Sequence, residues 1–532
     1  MTSFKKAGTG AAIGIAISLI AIGTAHAATV RSPEVTPAAQ HDKLPSLRGV
    51  MPRPDDFIKN SHAHPAHPLP FISAPGNQGD GALQTAVNGS FAPALGAGFD
   101  GVGQGFSGPQ GTFTVNSAPP DTNGAVGATQ YLQIVNTAFA VFDKATKAVV
   151  YGPVPSNTLW AGFGGPCEAD NDGDAVVVYD KAANRWVVSQ FAVTAAPYFQ
   201  CVAVSATSDA TGTWYRYAFP YGSVFPDYPK MGVWPDAYYE TFNMFNGNTF
   251  AGAKLCAYDR NAMLSGAAAT QQCFQLSTSY GGVLPADLDG ATAPPAGSPN
   301  YMLNFTSNAL NLWRFHVDWA NIANTTLTGP ISIPVASFAA ACGGGTCIPQ
   351  TGTRQQLDSL ADRLMFRLAY RNFGDHESLV VSHSVKVGTS RKNPYSGVRW
   401  YEIRSPGSTP VVYQQSTFAP DSNYRWMGSV AMDKLGDMAL GYSVSSSSIH
   451  PAVRYTGRLA GDPLSTMQAE SSIIEGLGSQ SGNRLSRWGD YSAMTVDPVD
   501  DCTFWYTTEY LQTTGSFNWN TRIGSFKFPG CQ

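Results

Sequence analysis

The sequence predicts an all-β fold, a β-propeller of about seven (six to eight) four-stranded blades, stapled by disulfides and preceded by a disordered N-terminal extension. Three observations predict it: many turn-formers and aromatics with little charge, an even set of cysteines, and a hairpin theme that recurs along most of the 532 residues. Gly supplies 54 positions and Pro 36, aromatics reach 12% and charged residues only 13%. That balance favours many short strands joined by tight turns.

The chain opens with Lys5 and Lys6, an apolar run over residues 11–22, and Ala25-His26-Ala27 before Ala28. A charged head, a hydrophobic stretch and an A-x-A site read as a signal peptide over residues 1–27. The run is too short for the roughly 20 residues that span a bilayer. The expected product is therefore a secreted or periplasmic monomer with no membrane insertion after cleavage at Ala27. Removing residues 1–27 takes two lysines and no acid, which leaves 31 basic against 37 acidic residues and a formal charge of −6. Nucleic acid is excluded as a partner, because no basic surface remains to hold it.

Residues 28–95 are rich in Pro, Ala, Ser and Gly and show no sustained strand pattern. They read as a flexible extension ahead of a single propeller domain over residues 96–532. Its histidines His62, His64 and His67 alternate with prolines. They read as part of a polar tract rather than a metal site, since nothing supplies a rigid second shell.

Eight cysteines follow: Cys167, Cys201, Cys256, Cys273, Cys342, Cys347, Cys502 and Cys531. An even count in an exported chain argues for disulfides, although about 105 connectivities are open. Sequential pairs, 167–201, 256–273, 342–347 and 502–531, are expected because neighbours within one repeat unit are nearest in space. Zinc is disfavoured by the lack of C-x-x-C pairs.

Beyond about residue 115 a short apolar strand, an Asp-containing turn and a second strand dense in aromatic and β-branched residues recur. The theme appears as YLQIVNTAFAVFDKATKAVVYG, GDAVVVYDKAANRWVVSQFAV, YPKMGVWPDAYYETFNMF, MGSVAMDKLGDMALGYSV and YSAMTVDPVDDCTFWYTTEY. The turn aspartates Asp143, Asp180, Asp236, Asp433 and Asp497 offer Asx-type hydrogen bonds. Two further segments, NYMLNFTSNALNLWRFHVDW and RLMFRLAYRNFGDHESLVVSHSV, fit less well. Unit starts near 121, 174, 227, 300, 362, 425 and 487 give a period of about 55 residues, the signature of a four-stranded blade. A β-solenoid would need shorter units and an immunoglobulin-like array independent cores of about 100 residues.

In SATSDATGTWY, Asp209, Thr213 and Trp214 resemble the Asp-box turn of sialidase-like propellers, S/T-x-D-x-G-x-T-W, with Thr207 leading and Gly212 one place late. The resemblance implies a structural turn on the side away from the active site. The strings DYPKMGVWPDAYY, RWMGSVAMDKLGDMALGYSV and RWGDYSAMTVDPVDDCTFWYTTEY are similar to a family of secreted bacterial proteins with sialidase-like propellers, over about residues 100–531. That likeness implies the fold and carries over no catalytic residue.

Aligning the hairpins by their turns puts Asp174, Asp227, Asp490 and Arg425-Trp426 at the start of first strands, with His376-Glu377 in the less regular unit. Innermost strands start around one axis, so these positions are expected to converge on one funnel. Carboxylates crowded there can serve as general acid and as base or nucleophile in glycoside cleavage, since like charges raise the pKa of one of them. The expected catalytic set is Asp174, Asp227, Glu377 and Asp490. Tyr228, Trp426, Trp488 and Tyr491 would stack on sugar rings, with His376 beside them, while Arg371, Arg425 and Arg487 would hold an acidic group bidentately. For a lyase, Tyr491, His376 or His383 would abstract the proton.

Glu168, Asp170 and Asp172 alternate ahead of Gly173 like the first half of a calcium loop, but Tyr179 stands where the bidentate Glu belongs. These acids fit either a partial calcium site or a solvated acidic turn, and no other cofactor is implied. No G-x-S-x-G, H-E-x-x-H, P-loop or dinucleotide fingerprint occurs, which disfavours serine hydrolase, nucleotide and nicotinamide chemistry. The sequence thus points to a secreted carbohydrate-active enzyme, a glycoside hydrolase or polysaccharide lyase acting on a polysaccharide or oligosaccharide. Its alternative is a non-catalytic secreted propeller that binds glycan or protein.

Overall fold

A computed structural model of the chain describes residues 1–3, 32–52, 62–63, 67–70, 80–84, 86–87, 89, 93–388, 395–482 and 484–532. Beyond residues 1–3 the expected signal peptide lies outside the described residues, as does His64. Among the described residues no helix is long and apolar enough to cross a membrane.

Among the described residues seven four-stranded antiparallel units follow one another. Their innermost strands are Asn123–Val126, Val176–Asp180, Phe225–Val233, Leu284–Asp289, Met365–Asn372, Tyr424–Met432 and Ala493–Val496. The ring closes between its two ends: the outermost strand of blade 7 is Leu95–Asp100, which pairs with Asn520–Phe526. Six of the seven unit starts agree with the hairpin register. The fourth does not, because Asn300–Thr306 is the second strand of its blade and the first is the short, proline-containing LPADLD at residues 284–289.

Blades are held together by apolar layers between them. Trp186 and Val188 of blade 2 pack with Ile134 and Val141 of blade 1, and Trp505 and Ile523 of blade 7 pack with Tyr131 and Phe142 of blade 1. Alternating strand side chains thus face the neighbouring blades, so the inner strands read as near-continuous apolar runs instead of clean alternation. Near the axis, backbone N–H groups of one blade bond side chains of the next, as Val177 N–H does to Asn123 Oδ1 (3.2 Å) and Val233 N–H to Asp287 Oδ1 (3.0 Å). Blades 4 and 5 approach closely enough for their inner strands to pair in parallel, Ala286 opposite Leu368 through Asp289 opposite Arg371.

All four expected disulfides form: Cys167–Cys201, Cys256–Cys273, Cys342–Cys347 and Cys502–Cys531. The Asp turns also form, with Asp143 Oδ1 accepting from Thr146 N–H (2.7 Å) and Asp497 Oδ1 from Val499 N–H (2.9 Å). Asp209 closes the Asp-box-like turn between the third and fourth strands of blade 2, accepting from Thr211 N–H (3.0 Å) and its hydroxyl (2.7 Å). That turn lies at the end of the blade opposite the start of its first strand.

Part of the expected flexible extension is instead built into the ring. Glu34–Pro37 adds a fifth strand to the outer edge of blade 3 and Gln40–Leu44 a fifth to blade 2. Arg216 explains the second docking: its buried guanidinium takes both oxygens of Asp42 at 2.7 and 2.6 Å. Reading Pro and Gly content as disorder missed strands that borrow their register from an existing edge.

Candidate active site

Within about five residues of the start of every innermost strand one residue adopts a left-handed backbone: Asp121 (φ 50°), Asp174 (47°), Tyr228 (57°), Gly282 (60°), Leu360 (43°), Met427 (52°) and Asp490 (60°). Six of the seven are not glycine, and for Tyr, Leu and Met this conformation is uncommon enough to mark a place where the surrounding structure imposes it. Glycines make room beside two of them. A Cβ on Gly173 would lie 2.3 Å from Asn136 Oδ1, the atom that accepts the Asp174 N–H (2.8 Å). Gly489 precedes Asp490 and gives its own N–H to the buried Glu509 (2.6 Å).

This ring of turns surrounds the mouth of the central channel, where a cavity of about 60 Å³ is lined by Asp121, Asp174, Asp227, Asp490, Arg363 and Arg487 among others. Three of the four expected acids, Asp174, Asp227 and Asp490, therefore converge as the aligned hairpins imply. Arg487 pairs with Asp490, its Nε at 3.1 Å from Oδ1. Tyr228 N–H bonds Asp174 Oδ2 across the boundary between blades 2 and 3 (3.2 Å).

The acids are compensated from within. Lys230, fully buried, gives its ammonium to the Pro229 carbonyl (2.8 Å) and sits 3.5 Å from the centre of the Tyr228 ring and 3.8 Å from that of Tyr491. Burial lowers its pKa to about 8, against the opposing pull of Asp174, Asp121, Asp490 and Asp227. Burial and the neighbouring Asp227 raise Asp174 to about 6, and burial with Asp490 and Asp174 raises Asp121 well above the carboxylate range. The mouth therefore holds protons on some carboxyls at mildly acidic pH.

Asp121, Lys230 and Arg363 were not anticipated as site residues. Asp121 stands two positions before its strand, the spacing of Asp174, but the strand NGAV is too short and small to announce itself. Arg363 lies two residues before the strand MFRLAYRN, and its guanidinium stacks 4.6 Å from the Tyr228 ring.

Other expectations are corrected. Glu377, His376 and Arg371 lie at the opposite end of blade 5: Arg371 is near the end of the innermost strand and Glu377 begins the second, which runs the other way. Arg371 is committed to Asp501 by two 2.7 Å bonds, His376 to Asp375 (2.7 Å), and Glu377 accepts from Tyr370 (2.7 Å). Arg425 is buried within blade 6, held by Asp421 and Glu470. Trp426 and Trp488 are fully buried, 6.0 Å apart, sealing blades 6 and 7 rather than offering a surface to sugars. Tyr491 is also fully buried, donating to the Ala175 carbonyl (3.2 Å), and His383 packs between Phe305 and Phe338.

The half calcium loop does not assemble a site either. Glu168 accepts from Gly164 N–H (2.7 Å), and Asp172 accepts from Val193 N–H (2.7 Å) and the Thr194 hydroxyl (2.9 Å). Among the described residues no group of three or more His, Cys, Asp or Glu is arranged to hold a metal ion. Glu168 and Asp172 cap loop N–H groups, the ordinary use of an acidic turn.

No protein-family model matches the sequence, and no curated protein matches it. Among solved structures, a chain of the S. cerevisiae assembly of Dbp5 with Nup159 is similar at 9% identity and TM-score 0.35, covering 84% of this chain and 98% of that one. An exo-β-1,3-galactanase from Phanerochaete chrysosporium is similar at 9% identity and TM-score 0.29, covering 80% and 96%. An ulvan lyase of family PL25 is similar at 11% identity and TM-score 0.28, covering 80% and 81%. Superpositions this loose carry no argument about activity, and the architecture stands on the strand pairing itself.

Proposed function

We propose that this protein is a secreted or periplasmic carbohydrate-active enzyme, a glycoside hydrolase whose proton donor is Asp174 and whose base or nucleophile is Asp227. The observation that carries the reading is the pairing of a carboxyl held protonated up to about pH 6 with a second carboxyl at the more open side of the same mouth. Glycosidic cleavage requires such a division of labour: the acid gives its proton to the leaving oxygen while the other carboxylate attacks the anomeric carbon or activates water. Asp490, neutralised by Arg487, and Asp121 hold the charge balance around the pair.

Hydrolysis is favoured over elimination because the bases considered for a lyase do not stand free at the mouth. His376 is at the far end of blade 5, His383 is enclosed by aromatic rings, and the Tyr491 hydroxyl is spent on a backbone carbonyl.

A panel of polysaccharides incubated with the full chain and with Asp174→Asn and Asp227→Asn tests the reading. New reducing ends from the wild type that disappear in both folded variants are expected. Undiminished release by both variants would overturn the assignment and leave the non-catalytic, glycan- or protein-binding propeller.

A further inference from the structure

The N-terminal segment crosses the candidate site. His62 and Ala63 pair in parallel with Ser117 and Ala118, just ahead of Asp121, and Asp80 is bonded to Arg399 and Thr417 of blade 5. Between them, residues 67–70 lie on the mouth itself. The His67 carbonyl accepts from Arg363 (3.0 Å), Leu69 N–H bonds Asp362 Oδ2 (2.8 Å), and the buried Leu69 side chain packs over Gly281 and Gly282. The imidazole of His67 rests against Phe245 and Phe225, ring centres 4.9 and 5.4 Å away, with Nδ1 3.6 Å from Asp227 Oδ1.

That placement gives the segment a cost as well as a purpose. His67 Nδ1 is buried without a hydrogen-bond partner, so the ring is not held there by an ideal polar fit. With it in place the cavity is about 60 Å³, room for a few waters, whereas small-molecule sites occupy roughly 300 Å³ or more. A flat ring against two phenylalanines and beside a carboxylate occupies what a sugar ring would require.

We infer that residues 67–70 are an intramolecular cap, with His67 seated on the Phe225–Phe245 platform and against Asp227, so that the mouth admits a sugar only when this segment is displaced. The inference rests on the mouth being the carbohydrate site. Displacement frees the Asp227 carboxylate, the two rings and the Arg363 N–H that now serves the His67 carbonyl.

The test labels carboxylates of the full chain with a water-soluble carbodiimide and glycine ethyl ester, read by peptide mass spectrometry, in the wild type and in a His67→Gly/Leu69→Asp variant. Asp375, 83% exposed and remote from the segment, is the internal reference. Labelling of Asp227 relative to Asp375 should rise about tenfold in the variant, the size expected when a locally held segment is released. If the double variant does not fold, Leu69→Ala serves in its place, with a smaller rise. Equal Asp227 labelling in the wild type and a folded variant overturns the cap. Because labelling needs no turnover, the two readings fail separately. Faster labelling with no sugar cleaved by any variant leaves the cap and removes the hydrolase, whereas unchanged labelling with activity lost in Asp174→Asn does the reverse.

Discussion

Tyr228 gives its backbone N–H to Asp174 Oδ2, 3.2 Å away in the neighbouring blade. Both residues are left-handed, so the turn that aims the tyrosine also fixes the carboxyl beside Asp227. A bond to the carboxylate form opposes protonation, yet burial and the nearby charge outweigh it and leave Asp174 at about 6. As the proton donor, Asp174 must be protonated to act, so kcat/KM should fall as pH rises through about 6. Asp174→Asn should lower kcat by about a hundredfold or more, the usual share of a general acid, without lowering Tm at neutral pH. A pH–rate profile on any cleaved glycan checks both.

Lys230 is an ammonium buried among four aspartates, and Lys230→Met should be costly for a reason that pH exposes. Removing one partner of a buried charge cluster costs about 3–5 kcal/mol. The loss should depend on how many acids remain ionised. Carboxyls whose folded pKa is raised contribute stability below their unfolded pKa and lose it as pH rises through the folded value. The variant's deficit in Tm should therefore be small at pH 4–5 and large at pH 8. A deficit that is the same at both would mean that the lysine packs rather than compensates.

What the sequence disclosed divides along a physical line. Asp174, Asp227 and Asp490 were legible because each stands beside an apolar inner strand, and strand starts share one axis whatever the loops between blades do. Glu377 and Arg371 were misplaced because the strands MFRLAYRN and ESLVVSHSV are equally apolar, buried on both faces, so periodicity cannot tell the first strand of a blade from the second. Lys230 and Asp121 were hidden for another reason: a buried charge is visible only as the partner of other charges, which is a property of the assembled ring. The capping segment was hidden by composition, since Pro-rich tracts look alike whether they dangle or dock.

Glu240 provides a test of the blade interface away from the mouth. It is fully buried, accepts from Ser189 (2.6 Å), Gln200 (3.0 Å) and Tyr258 (2.9 Å), and burial raises its pKa to about 7. Its contribution to stability is then complete below about pH 4.5 and lost as pH rises through 7, by on the order of 3 kcal/mol. Glu240→Gln keeps the acceptor to Ser189 and cannot ionise. Its Tm should exceed that of the wild type at pH 8 and match or fall below it at pH 5, a crossing that thermal melts at the two pH values would detect.

Disulfide loop lengths predict an order of stabilities. Cys502 and Cys531 are 29 positions apart in sequence and Cys342 and Cys347 only 5. If cross-links act by restricting the unfolded chain, with a dependence on the logarithm of loop length, the longer loop is worth about 1.5 kcal/mol more. Position reinforces that order. Cys502 and Cys531 staple blade 7, whose outermost strand Leu95–Asp100 closes the ring, whereas Cys342 and Cys347 lie in the connection between blades 4 and 5. Cys502→Ser/Cys531→Ser should lower Tm more than Cys342→Ser/Cys347→Ser. It should also speed hydrogen exchange first in the 520–526 strand, since releasing the tail beside that strand loosens the closure itself. The opposite order in Tm would show that native packing around the short loop, and not chain entropy, sets the value of these cross-links.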